Sequence, residues 1–299
     1  MKRLLRIATR SSALAVWQSH HVARLLQRNW PGLRIELIPV TSTGDSDQST
    51  PLYGMGGIGV FCSEVQQVVL KGDADIGVHS LKDLPTAPAQ GLEIVALLER
   101  ADPRDALVHA TTENGVGIQA LPQNGVVASS SLRRRSQLAA MRPDLRFVDI
   151  RGNVQTRLRK ISEGLADATI LAMAGLQRMN LLRATKAFPL NPLAECTPAP
   201  GQGVIAIDCR QDDPLSAHLA TRLNHHASAV AVSIERDVLA GLRGGCSLPL
   251  GCFAQRHGSL WSVQTSLDSG EGLHQVRYQG PAEGAASTIL KRLAVSRGL

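Results

Sequence analysis

Aromatic side chains make up only 3% of the 299 residues, and apart from Phe147 none alternates with the basic residues. Single-strand nucleic-acid binders need aromatic platforms on which bases stack. No nucleic-acid-binding motif is present either, so no nucleic-acid partner is expected. No apolar run approaches the ~20 residues that cross a bilayer, and no membrane partner is expected. The N-terminal stretch Met1-Lys-Arg-Leu-Leu-Arg-Ile-Ala8 has no apolar h-region, which predicts no signal peptide and a cytoplasmic setting. Cysteines stand at 62, 196, 209, 246 and 252, an odd number at irregular spacing. That pattern is neither a disulfide framework nor a zinc site, so free thiols and no metal are expected. Lysine is scarce as well, 6 residues against 26 arginines.

Basic charge is nevertheless abundant. The chain carries 32 basic and 25 acidic residues, a net +7. Residues 133–160 alone hold eight arginines and Lys160 against Asp144 and Asp149. Arginine grips carboxylate or phosphate through a planar fork of donors, so this concentration points to a polyanionic ligand. Hydrophobic content of 43% and charged content of 19% suit a globular protein. The length allows two or three domains with cores of their own.

Hydrophobic periodicity gives the order of elements. Strands are expected at 4–8, 33–39, 76–78 and 92–97, with helices at 13–27 and 61–70 between them. Thr41 to Gly59, rich in Gly, Ser, Thr and Asp, reads as a long loop. Asp102-Pro-Arg-Asp105 reads as a crossover. A second series follows, with strands near 106–108, 126–128, 146–150 and 168–172 and helices at 132–141, 154–163 and 175–182. Residues 189–203 are rich in Pro and Gly and read as a second crossover. The strand at 204–209 is placed to return to the first domain. Helices at 214–222 and 228–241 precede three strands near 252–255, 260–267 and 274–278 and a last helix at 281–295. The class is therefore α/β: two α/β domains with a cleft between them, plus a small α+β C-terminal domain. The expected boundaries are 1–100 with 200–220, then 101–199, then 221–299.

Five stretches carry candidate chemistry. Val78-His-Ser-Leu-Lys-Asp-Leu-Pro85 sets a polar cluster at the end of a strand, where α/β proteins bind ligands, and Pro85 closes the turn. Asp83 is the candidate chemical centre; read alone, Lys82 and Asp83 are an ordinary surface pair. Ser129-Ser-Ser-Leu-Arg-Arg-Arg135 ends a strand and opens a helix, so hydroxyls, amides and guanidinium groups converge there. Arg133 and Arg134 lie in the first helical turn, where cations oppose the helix dipole, and that cost calls for a reason. Arg151-Gly-Asn-Val-Gln-Thr-Arg157 repeats the strand–polar–helix arrangement, and Arg178 follows one strand later. Near the N-terminus, Ser11 or Ser12 is expected to cap the first helix, with Arg10 beside it. Leu242-Arg-Gly-Gly-Cys-Ser-Leu-Pro249 puts Cys246 on a tight loop, as a nucleophile or as a covalent anchor.

At these residues the sequence resembles the porphobilinogen deaminase family, also called hydroxymethylbilane synthases. The resemblance runs nearly end to end. It includes Arg6-Ile-Ala-Thr-Arg-Ser-Ser12, Val78–Pro85, Ser130-Ser-Leu-Arg-Arg134, Arg151-Gly-Asn-Val154 with Thr156-Arg-Leu158, Pro200-Gly-Gln-Gly203, Leu223-Asn-His-His226 and Gly244-Gly-Cys246. It implies three domains, the first two like periplasmic solute-binding proteins. It also implies a dipyrromethane cofactor joined by a thioether to Cys246, and stepwise condensation of four porphobilinogen molecules with loss of ammonia. Each pyrrole brings an acetate and a propionate, which Arg10, Arg133, Arg134, Arg151, Arg157 and Arg178 would clamp. Asp83 would stabilise cationic pyrroles and carry the proton, while Lys82 would bind pyrrole acid groups and keep Asp83 ionised. Ser12, Asp45 and Ser131 are further expected binding residues. Porphobilinogen is the expected small-molecule partner and a monomer the expected state. The chain departs from the family pattern at Gly54 and Ile58, where relatives often carry lysines. The other classes are a two-domain binding protein for a small polyanion, which would need export, and a basic nucleic-acid binder, whose affinity would fall steeply with salt.

Overall fold

The computed structural model describes residues 4–41, 63–111, 115–192, 194–242 and 248–296. Asp45, Gly54, Ile58, Cys62 and Cys246 lie outside the described residues. In chain order the elements are β1 (Leu4–Arg10), α1 (Ala13–Asn29), β2 (Arg34–Val40), α2 (Ser63–Leu70), β3 (Ile76–Ser80), a 3-10 turn (Leu81–Asp83) and β4 (Leu92–Leu97). Then come β5 (Asp105–His109), β6 (Val126–Ala128), α3 (Leu132–Met141), β7 (Arg146–Val148), α4 (Val154–Ser162), β8 (Ala168–Ala172), α5 (Met173–Arg178) and β9 (Ala187–Pro189). The remainder is β10 (Ile205–Arg210), α6 (Pro214–Thr221), α7 (His226–Gly241), β11 (Leu250–His257), β12 (Leu260–Asp268), β13 (Leu273–Gly280) and α8 (Ala285–Ser296).

The chain forms two compact units. The first joins the described residues up to Ala101 to Val204–Ala229; the second joins Asp102–Gly203 to those from Val230 onward. The first unit's sheet has the order β2-β1-β3-β10-β4, with β1 parallel to β2 and β3. Strand β10 enters antiparallel between β3 and β4, so it does return to the first sheet. One face of this sheet (Leu5, Ile7, Ile76, Val78, Ile205, Ile207) packs on Val22 and Leu26 of α1. The other gathers Ala8 and Leu92 with Val65 and Val69 of α2. Coverage on both faces explains why these strands read as nearly continuous apolar runs. Each fully buried Leu or Ile contributes about 1.5–3 kcal/mol.

The second unit's larger sheet repeats the plan, in the order β7-β6-β8-β5-β9. Strand β6 is parallel to β7 and β8, and β5 runs antiparallel to β8 and β9. Its core includes Leu107, Val127, Leu138, Ile170 and Leu190. The same unit holds an antiparallel sheet, β11-β12-β13, whose inner face packs on Ile234 and Val238 of α7 and on Ile289 and Leu293 of α8. The molecule is thus a mixed α/β protein with two five-stranded sheets and one small sheet among the described residues.

Three elements differ from expectation for local reasons. Strand β7 stops at Val148, because Ile150 turns both backbone groups to the Ser130 hydroxyl. Helix α5 covers Met173–Arg178 and ends early, as Asn180 takes the left-handed conformation at φ 54°. Strand β9 was not expected and ends on Pro189, the first residue of the stretch read as crossover; it forms the sheet edge, where Pro189 is tolerated.

Candidate functional site

In the first unit the expected residues gather at one edge of the sheet. β1 and β3 run parallel, with Ala8 opposite Gly77, so their carboxyl ends lie together. Arg10 ends β1, Ser12 opens α1, and Lys82 and Asp83 lie in the 3-10 turn directly after β3. The sequence Leu-Lys-Asp-Leu explains the turn. Leu81 and Leu84 are buried and anchor it, while Lys82 and Asp83 between them stay partly exposed. The Leu84 amide closes the turn on the Leu81 carbonyl at 3.0 Å, and the Leu81 amide bonds to the Val204 carbonyl of the neighbouring chain segment at 3.0 Å. Ser12 holds the N-cap position of α1, but its hydroxyl makes no cap bond, contrary to the expected capping role.

In the second unit the parallel strands β6, β7 and β8 also end together. Ser129 to Ser131 follow β6, Arg151 follows β7, and Arg178 closes the helix after β8. Ser131 is the N-cap of α3, again without a cap bond from its hydroxyl. Asn153 caps α4 by accepting from the Thr156 amide at 2.9 Å. Arg157 folds back to the Gly152 carbonyl at 2.8 Å. Gly152 has φ 109°, and a Cβ there would come within 2.6 Å of the Thr156 side chain, so only glycine fits this loop.

Comparison with known proteins settles what this arrangement belongs to. The family model described as porphobilinogen deaminase, dipyromethane cofactor binding domain, matches residues 5–218. The chain belongs to the porphobilinogen deaminase family. Among solved structures it is similar to the effector-binding domain of BenM with its effector benzoate (16% identity, 74% of this chain and 91% of that chain, TM-score 0.43). It is also similar to the periplasmic VFT2 domain of Bordetella pertussis BvgS (17%, 73% and 86%, TM-score 0.43). A third likeness is to the probable amino-acid ABC transporter extracellular-binding protein ytmK from Bacillus subtilis (10%, 74% and 91%, TM-score 0.44).

Family membership assigns the chain to tetrapyrrole synthesis, with dipyrromethane as cofactor and porphobilinogen as the family's substrate. The residues present fit a cofactor that bears carboxylates. Burial pulls the Arg178 guanidinium down to about 10, and among the described residues no carboxylate offsets that burial. Its bond goes to the Gly203 carbonyl at 2.7 Å. A guanidinium in that state gains from an acidic group brought to it.

Arg133 and Arg134 correct the expectation of two guanidinium groups turned to a ligand. They are 6% and 8% exposed, and both bind the fully buried Asp105. The ion-pair distances are 2.8 Å for Arg133 and 2.7 Å for Arg134. Arg133 also donates to the Thr197 carbonyl at 2.6 Å, and Arg134 to the Ile170 carbonyl at 2.9 Å. Asp105, rather than a ligand, offsets the dipole cost in the first turn of α3. Burial pushes the Asp105 carboxyl up, but the two guanidinium groups outweigh it and hold the acid well below the usual carboxylate range. The same neighbourhood pushes the Cys196 thiol up to about 12 through burial and then the charge of Asp105.

Sequence reasoning missed Asp105, Gln202, Asp208 and Gln66. Gln202 donates to Asp105 at 3.0 Å, and Gln66 to Asp208 at 2.9 Å. A faint signal existed in two of them: Asp105 opens an apolar run, and Asp208 interrupts Ile205-Ala-Ile-Asp-Cys209. Among the described residues no group of three or more His, Cys, Asp and Glu is placed to hold a metal, and no helix is long and apolar enough to cross a membrane.

Proposed function

We propose that the chain is a cytoplasmic, monomeric transferase that condenses four porphobilinogen molecules one after another and releases ammonia and hydroxymethylbilane. The cofactor, held by a thioether to Cys246, supplies the primer on which the pyrroles are joined. Asp83 is the catalytic residue. Loss of ammonia leaves a cationic pyrrole, and bond formation leaves a second cation that must shed a proton. The Asp83 carboxylate stabilises positive charge and accepts that proton. Lys82 and Arg10 bind acetate and propionate groups at the same edge, with Ser12 and Asp45 as further polar contacts. In the second unit, Arg151, Arg157, Arg178 and Ser131 bind the acidic side chains of the pyrroles. Arg133 and Arg134, with Asp105, form the base that supports this row.

The observation that carries the reading is the Leu81–Asp83 turn. Two buried leucines fix a partly exposed carboxylate at the carboxyl edge of the sheet, and a fixed carboxylate is what proton transfer at a set position needs. The test has two arms. Asp83→Asn is expected to lower porphobilinogen turnover by roughly 10²–10⁴-fold, the usual contribution of a general acid–base; near-normal turnover would remove Asp83 from the mechanism. Intact mass is expected to exceed the polypeptide by one dipyrromethane and to lose that excess in Cys246→Ser. An unmodified, fully active wild type refutes the anchor.

A further inference from the structure

Behind the catalytic turn, the α2 face of the first sheet holds a polar cluster among otherwise apolar neighbours. Ile76 and Val78 of β3 pack with α1. The alternate residues Gly77 and His79 look the other way, as strand geometry requires. His79 is 5% exposed and Asp208 of β10 is 1% exposed. His79 Nε2 lies 3.0 Å from Asp208 Oδ1. Gln66 of α2 donates to Asp208 Oδ2 at 2.9 Å. The Asp208 carboxyl is pushed up by burial but pulled further down by His79 and Gln66, so it is ionised and Nε2–H is the donor.

Two details tie this cluster to the turn. Asp208 stands opposite Gly77 in the ladder, and a Cβ on Gly77 would collide with Asp208 Oδ1 and lie 2.7 Å from His79 Nε2. Glycine at 77 is what lets the carboxylate reach the imidazole. In addition, Leu84 and Pro85, the residues just after Asp83, line one small cavity of about 10 Å³ with Gln66 and Asp208. On the opposite face, Ser80 bonds to Gln18 of α1 at 2.9 Å. The end of β3 is thus clamped from both faces, immediately before the turn.

Well-packed apolar side chains at 66, 79 and 208 would hold the fold about as well, because buried ion pairs seldom add net stability. What the polar cluster adds is direction: a satisfied buried hydrogen-bond network rigidifies the strand end and specifies one arrangement, which apolar contact does not. We propose that His79, acting through Asp208 and Gln66, is a positioning residue for the Asp83 carboxylate. The inference rests on the reading of Asp83 as the catalytic group.

The test measures porphobilinogen turnover and thermal unfolding in parallel. The double variant His79→Leu/Asp208→Leu removes the imidazole donor and its acceptor together, and leaves the Gln66 amide at the rim of the cluster without that acceptor. It is expected to unfold near the wild-type temperature with KM unchanged, while kcat drops about tenfold or more, since a ~1 Å misplacement can cost ~10²-fold. His79→Gln keeps an N–H for Asp208 and is expected to restore most of the rate. Gln66→Leu, at the rim of the cluster, is expected to fold and to lose several-fold in kcat alone. A folded double variant with wild-type kcat overturns the proposal. So does a loss of kcat that tracks a loss of unfolding temperature in every variant. If the double variant does not fold, wild-type kcat in Gln66→Leu overturns it instead. Asp83→Asn is assayed alongside. Should it stay active, the reading of Asp83 and this inference fall together; should it be inactive while the His79 and Gln66 variants match wild type, only the inference falls.

Discussion

The two five-stranded sheets share one strand plan, yet each solves the burial of an aspartate differently. In the first, Asp208 sits on the inserted antiparallel strand β10 and faces one imidazole and one amide. In the second, Asp105 opens the antiparallel strand β5 and faces two guanidinium groups, the Gln202 amide and the Cys196 thiol. The partners differ in kind. Arginine stays charged at any working pH, and here Arg134 supplies Oδ1 of Asp105 through two N–H groups while Arg133 supplies Oδ2. Histidine and glutamine offer single donors of modest strength. Asp105 therefore acts as the fixed anion that lets an arginine-rich helix start be buried. On the positioning proposal, Asp208 serves a local alignment beside the turn that presents Asp83. Two sheets of one topology thus carry a structural anion and, on that proposal, a positioning anion.

The sharpest way to break that contrast is Asp105→Asn. It leaves two buried guanidinium groups without their anion, and we expect a loss of about 3–5 kcal/mol, the usual cost of breaking a buried pair from one side. The denaturant midpoint of the variant measures it. Asp208→Asn keeps a neutral donor–acceptor pair with His79, so the expected loss is smaller, about 1–3 kcal/mol. Equal losses in the two variants would erase the distinction.

Acid titration sharpens it further. Both carboxylates are held below the ordinary range, Asp105 by its two guanidinium groups against burial and Asp208 by His79 and Gln66 against burial. A depressed carboxyl contributes stability that is fully present above its unfolded value near ~4 and is lost as pH falls through the native value. The gap between wild type and Asp208→Asn is therefore expected to be full at neutral pH and to shrink below about 4. The gap for Asp105→Asn is expected to outlast it to lower pH. Midpoints taken at pH 7, 5 and 3 distinguish the two.

The smallest effect concerns thiols. Cys196 beside Asp105 and Cys209 next to Asp208 are both buried, and burial pushes each up to about 12. Neither is expected to react with an alkylating reagent in the native wild type at mildly alkaline pH, because the thiolate is the reactive form. In Asp105→Asn, Cys196 is expected to label first while Cys209 stays protected. Peptide mapping reads the order, and simultaneous labelling would contradict separate roles for the two clusters.

Much of the fold was legible because it rests on local pattern. The amphipathic spacing of 13–27 marks α1, which runs on to Asn29, and the apolar runs at 76–78 and 168–172 mark strands buried on both faces. The Leu-Lys-Asp-Leu-Pro run marks the turn that presents Asp83. Strand β9 escaped notice because three residues running into a Pro-rich stretch carry no period of their own. Arg133 and Arg134 were readable as costly at a helix start, but not as buried. Their partner lies 29 residues upstream of Arg134, and nothing local ties the two together.

Sequence by itself determined the inventory: the alternation of strands and helices, the excess of arginine, and the acid and lysine between two anchoring leucines. Tertiary structure alone decided which charges face inward. Strand β10 brings Asp208 over Gly77 to His79, and β5 brings Asp105 under α3. Pairing of that kind depends on ladder register between segments far apart in the chain, which no window of neighbouring residues encodes.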